Sequence, residues 1–121
     1  MDKSLAGRRI LVVEDEMLVL MNIEDMLADL GCESVTAAAT VHQALELIGS
    51  QDFDAAMLDM NLDGSKTHRV AEALAAHGVP FMFATGYVGR DISDGHQDRP
   101  VLKKPFQCHQ LDEMLEGLLS G

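Results

Sequence analysis

The chain has 121 residues, 47% of them hydrophobic, enough for one buried core and too few for two domains of ordinary size. Twenty acidic against nine basic side chains give a formal charge of −11, which repels phosphate backbones and anionic lipid, so direct binding to nucleic acid or membrane is disfavoured. No apolar run nears the roughly 20 residues of a bilayer span, and Cys32 and Cys108 lack metal or redox spacing, so reduced thiols in a cytoplasmic protein are expected.

Ile10 to Val13 is a short, continuous apolar run rich in β-branched residues, which predicts a strand buried on both faces. Val19, Ile23, Met26, Leu27 and Leu30 then recur at three and four residues, a helical stripe closed by Gly31. Ser34 to Ala37 reads similarly, as a second strand buried on both faces. Thr40 with Gln43 forms a capping box ahead of Val41, Ala44, Leu45 and Ile48. Ala55 to Leu58 is a third strand, and Val70, Ala73 and Leu74 mark a helix ending at "HGVP". Phe81 to Ala84 is a fourth strand and "PVLKK" from Pro100 a short fifth, followed by a helix on Leu111, Met114, Leu115, Leu118 and Leu119. Between the last two strands, Tyr87 to Arg99 is rich in glycine and aspartate and poor in apolar residues, so its helix is expected to be short, distorted or mobile. The methionines, Met17 and Met21 among them, read mostly as core fillers. Strands alternating with helices imply βαβ crossovers, a parallel sheet covered on both faces, and a ligand site at the carboxyl ends of the strands. One domain is expected over 1–121, its core from about residue 8 to about residue 119.

Chemistry-bearing residues collect at those strand ends. Glu14 and Asp15 follow the first strand, Asp59 ends the third, Thr85 ends the fourth, and Lys104 follows the fifth just before Pro105. Converging carboxylates repel unless they take up protons or a cation, and an oxygen-rich site with open water positions suits Mg2+. The plainer alternative is that Glu14 and Asp15 only cap the next helix and Asp59 only starts a turn. The stretch "LDMNLDG" also fits the start of an EF-hand loop through Asp59, Asn61, Asp63 and Gly64, but the twelfth position is Val70, where calcium needs a bidentate Glu, and a strand rather than a helix precedes it.

Together these residues resemble the response-regulator receiver domain of two-component signalling, from "RRILVVEDE" at Arg8 through the final helix. The resemblance implies a CheY-like (flavodoxin-like) α/β fold, a doubly wound five-stranded parallel sheet in strand order 2-1-3-4-5, with a fourth helix here short or mobile. It implies Asp59 as phosphoacceptor, Lys104 and Thr85 as catalytic partners, and Mg2+ held by Asp15, Asp59, Glu14 through water and the backbone carbonyl of Asn61. A cis Lys104–Pro105 bond is implied as well. The partners implied are a histidine kinase or phosphotransfer protein and an unknown downstream protein, with the receiver a monomer or weak dimer. The chain would be a signalling switch that catalyses only its own phosphorylation and slow dephosphorylation, either stand-alone, as a phosphate sink, or as a module of a hybrid kinase or larger regulator.

Three departures stand out. Val101 occupies the place of the usual switch aromatic, Asp63 that of a common proline, and "FMFATGY" from Phe81 to Tyr87 resembles the FATGUY subfamily, linked to HWE or HisKA2-type kinases. Tyr87 is expected to take over the aromatic role. The rival is a small Mg2+-dependent phosphohydrolase with an aspartyl-phosphate, which needs a second aspartate where Asn61 stands and a cap for which no residues remain. A binding-only pseudo-receiver is disfavoured because Asp15, Asp59, Thr85 and Lys104 are all present. The five histidines are scattered and carry no metal or phosphoryl expectation.

Overall fold

The structure, a computed structural model, describes residues 5–32, 34–59, 67–85, 100–104 and 106–120. In chain order these form β1 (Arg9–Val13), α1 (Met17–Asp29), β2 (Ser34–Ala38), α2 (Val41–Ser50), β3 (Ala55–Asp59), α3 (Thr67–Ala76), β4 (Phe81–Thr85), β5 (Val101–Lys103) and α4 (Cys108–Ser120). The strands lie in the order β2-β1-β3-β4-β5 and every pairing is parallel. This is the predicted doubly wound sheet. The predicted distorted segment of residues 87–99, with Tyr87, lies outside the described residues, as do Asn61, Asp63 and Pro105.

The period of two along a strand divides the core into two layers. Ile10, Val12, Ala55, Met57, Met82 and Ala84 face α1 and α4 through Leu20, Ile23, Leu27, Leu111 and Leu115. Leu11, Val13, Ala56, Leu58, Phe81 and Phe83 face α2 and α3 through Ala44, Ile48, Val70, Ala71 and Leu74. Phe81 and Phe83 meet edge to face with ring centroids 5.6 Å apart, a favoured aromatic geometry.

Two expectations need correction. β2 is not buried on both faces: at the edge of the sheet it keeps only Ala38 fully buried. Met17 and Met21 are not core fillers; with Leu18 they are exposed on α1, at 65%, 51% and 81%. The buried stripe of α1 runs through Leu20, Ile23 and Leu27, which turns the neighbouring positions outward.

Helix ends follow local chemistry. Gly31 has φ 91°, and Cys32 N–H donates to the Leu27 carbonyl at 2.9 Å while Gly31 N–H donates to Ala28 at 3.0 Å. That is a Schellman cap, which needs a left-handed residue and so favours glycine. Thr40 Oγ1 accepts from Gln43 N–H at 3.0 Å, and Gln43 Oε1 accepts from Ala39 N–H at 2.8 Å, one residue before the usual reciprocal donor. Thr40→Ala is expected to lower stability by about 1 kcal/mol, read by urea denaturation. Cys32 and Cys108 are free thiols. No described helix is long and apolar enough to cross a membrane.

Candidate functional site

Register brings the site together. Val13 pairs with Leu58 and Asp59 with Ala84, while Thr85 pairs with Lys103. The residues that follow β1 and β5, Glu14 and Lys104, therefore end at the same sheet edge as Asp59 and Thr85. This edge is the carboxyl end of a parallel sheet, where open α/β folds bind ligands.

Glu14 and Asp59 are almost wholly buried, at 1% and 2% exposure. Lys104 Nζ lies between them, donating to Glu14 Oε1 at 2.8 Å and to Asp59 Oδ1 at 3.3 Å. Glu14 Oε2 accepts from the backbone N–H of Glu16 at 3.1 Å. The helix-capping alternative is thus partly true: Glu14 serves the start of α1 with one oxygen and Lys104 with the other. Glu16 itself, the N-cap, makes no side-chain cap bond. Asp15 is exposed, and one carboxylate oxygen from each of Glu14, Asp15 and Asp59 falls within 4.8 Å of the others.

The electrostatics of this cluster are unbalanced. Among the described residues three carboxylates face one ammonium, which leaves two formal negative charges in excess within that group. Burial pushes the Glu14 carboxyl above its ordinary pKa; the Lys104 and Glu16 hydrogen bonds oppose that shift and the charge of Asp59 adds to it. Burial pulls Lys104 down, but Glu14 and Asp59 together outweigh it and hold the ammonium above its ordinary value. Proton uptake by Glu14 or a bound cation would relieve the excess.

The donor set fits Mg2+. All three ligands are hard carboxylate oxygens, two are fixed by burial, and the exposed Asp15 leaves a solvent side on which a magnesium ion can keep waters. Sequence reading identified Glu14, Asp15, Asp59 and Lys104, and the structure brings these four together. Thr85 sits at the end of β4, placed by its backbone. Val101, in the usual aromatic's place, is half-buried at the start of β5 and packs against the layer shared by α2 and α3. Asn61, Tyr87 and Pro105 lie outside the described residues. One residue was missed: Thr67, buried at the start of α3, donates through Oγ1 to the backbone carbonyl of Asp59 at 3.3 Å.

Comparison with known proteins agrees with this geometry. SdrG from Sphingomonas melonis Fr1 is 43% identical, with a TM-score of 0.81, over 96% of this chain and 98% of that one. The receiver domain of the sensor histidine kinase PA1611 from Pseudomonas aeruginosa PAO1, solved with a magnesium ion coordinated in its active-site cleft, is 28% identical with a TM-score of 0.78, over 96% of this chain and all 100% of that one. The transcriptional regulatory protein PdtaR of Mycobacterium tuberculosis is 28% identical over 117 residues, 93% of this chain but 57% of its own length. The chain thus spans little more than half of that curated relative. Residues 10–116 match the response regulator receiver domain, and with four of the receiver's acidic and basic residues gathered at one sheet edge, the chain belongs to the receiver-domain family of two-component signalling.

Proposed function

We propose that this receiver accepts a phosphoryl group on Asp59 from a phosphohistidine of a histidine kinase or phosphotransfer protein, in a Mg2+-dependent reaction. The observation that carries the reading is Lys104 Nζ held between the buried carboxylates of Glu14 and Asp59. An Asp59 carboxylate oxygen attacks phosphorus, the P–N bond breaks, and its electron pair returns to the donor imidazole, which takes a proton. The product is a mixed anhydride on Asp59. Lys104 is already beside the nucleophile and offers its charge to the oxygens of the transferred group, and the hydroxyl-donor role falls to Thr85, whose backbone ends the neighbouring strand. Mg2+, held by Asp15, Asp59, Glu14 through water and the Asn61 carbonyl, would supply the remaining positive charge that phosphoryl transfer needs.

The "FMFATGY" stretch supports a place in the FATGUY group and an HWE or HisKA2-type donor. With Val101 at the switch position, Tyr87 supplies the aromatic that responds to phosphorylation. The chain is then a switch rather than an enzyme acting on other substrates. Incubation with Mg2+ and acetyl phosphate, followed by intact-mass and peptide analysis, tests this. One hydroxylamine-labile phosphoryl group on the Asp59 peptide, lost in EDTA, is expected. A phosphoryl group on any other residue would overturn the reading.

A further inference from the structure

Among the described residues the buried polar or charged side chains are Glu14, Asp59 and Thr67. Two belong to the proposed phosphoryl site. The third is the first residue of α3 and is 7% exposed. A threonine at a helix start commonly accepts from its own first turn, but here Oγ1 donates to the peptide carbonyl of Asp59, eight residues earlier in the chain and at the end of β3. Burial makes that bond consequential, because a buried hydroxyl or carbonyl left without a partner costs more than the bond itself contributes. The carbonyl belongs to the residue whose carboxylate meets Lys104 and lies within the Glu14 and Asp15 cluster. Rotation of that peptide turns the Cα–Cβ bond of Asp59 and moves the carboxylate with it.

We propose that Thr67 is a positioning residue for the phosphoacceptor: its hydroxyl locks the backbone of Asp59 and thereby fixes the carboxylate that takes the phosphoryl group and helps hold Mg2+. This rests on Asp59 being the acceptor. α3 is thereby tied to the reacting residue by a hydrogen bond, in addition to its apolar packing through Val70, Ala71 and Leu74.

The test compares Thr67→Val, which keeps the shape and loses the hydroxyl, with Thr67→Ser, which keeps the hydroxyl. Thr67→Val is expected to slow acetyl-phosphate labelling and to weaken Mg2+ binding, each by roughly three- to tenfold, the scale of one hydrogen bond. Thr67→Ser is expected to stay near wild type in both. A role confined to packing would lower the melting temperature of Thr67→Val but leave the labelling rate and the Mg2+ dissociation constant unchanged, and that result overturns the proposal. If Thr67→Val does not fold, Thr67→Ala replaces it, and equal rates and equal Mg2+ affinities for the Ala and Ser variants overturn the proposal. Titration with Mg2+ alone, followed by NMR or calorimetry, separates the two readings. A wild-type protein that takes no phosphoryl group on Asp59 refutes the proposed function, while the Mg2+ titration of the variants still reports on Thr67.

Discussion

Asp59→Asn is expected to take up no phosphoryl group and, in EDTA, to be more stable than the wild type. The loss is chemical: a carboxamide lacks the anionic oxygen that attacks phosphorus. The gain follows from the crowding at the sheet edge. Asp59 is 2% exposed, so its charge has surrendered most of its water. It shares Lys104 with Glu14, which holds the shorter contact, 2.8 Å against 3.3 Å. The carboxylates of Glu14 and Asp15 are close by and repel it. Among the described residues, removing the charge relieves the repulsion from Glu14 and Asp15 and a burial cost and gives up the longer contact with Lys104, which stays paired with Glu14. A gain of about 1 kcal/mol is expected, typical of relieving a functional site built at the expense of stability. Urea denaturation in EDTA measures it. A variant less stable than wild type would show that Lys104 serves Asp59 more than Glu14, contrary to the distances.

The same crowding explains which parts of the protein were legible in the sequence. The apolar runs at Ile10, Ala55 and Phe81 announce buried strands because both faces of a central parallel strand are covered, and all three are found in the middle of the sheet. β2 carries a similar run, but an edge strand has a neighbour on one side only, and the run itself does not mark the edge; only the strand order implied by the family resemblance placed β2 there. On α1, Met17, Leu18, Val19, Leu20 and Met21 are apolar without a break, so periodicity alone did not select Leu20 over Met17 or Met21. At the site, each carboxylate was readable because it stands at a strand end. The finer pairing was not. That Lys104 lies closer to Glu14 than to Asp59 depends on side-chain placement, and that Thr67 reaches the Asp59 carbonyl depends on the angle at which α3 meets the sheet. Neither leaves a spacing signature.

Lys104→Met should have the opposite effect on stability and nearly as large an effect on chemistry. Lys104 is the one cation paired with Glu14 or Asp59 among the described residues. Its removal takes a preformed positive charge away from the transferred oxygens, and loss of one such electrostatic contact is expected to slow labelling by acetyl phosphate by roughly 10²- to 10³-fold at saturating Mg2+. In EDTA the variant also leaves Glu14 and Asp59 facing each other without the counter-charge of Lys104. A fully enclosed pair broken in this way costs about 3–5 kcal/mol. Lys104 retains 15% exposure and Asp15 opens to solvent, so about 1–3 kcal/mol is expected here after screening. The pH dependence has a definite sign. The folded-state pKa of Glu14 already lies above its ordinary value, and losing Lys104 removes a bond that lowers it. A group whose folded pKa is raised favours the folded state when protonated, so this contribution is present in acid and is lost as pH rises through the folded pKa. The stability gap between Lys104→Met and wild type should therefore narrow toward acid pH and widen toward neutrality, measured by urea denaturation in EDTA across that range. Adding Mg2+ at neutral pH should recover stability, because the ion supplies the charge that the lysine no longer does. Labelling at the wild-type rate would remove Lys104 from the reaction, whereas a gap independent of both pH and Mg2+ would show that the lysine contributes by packing its stem rather than by its charge.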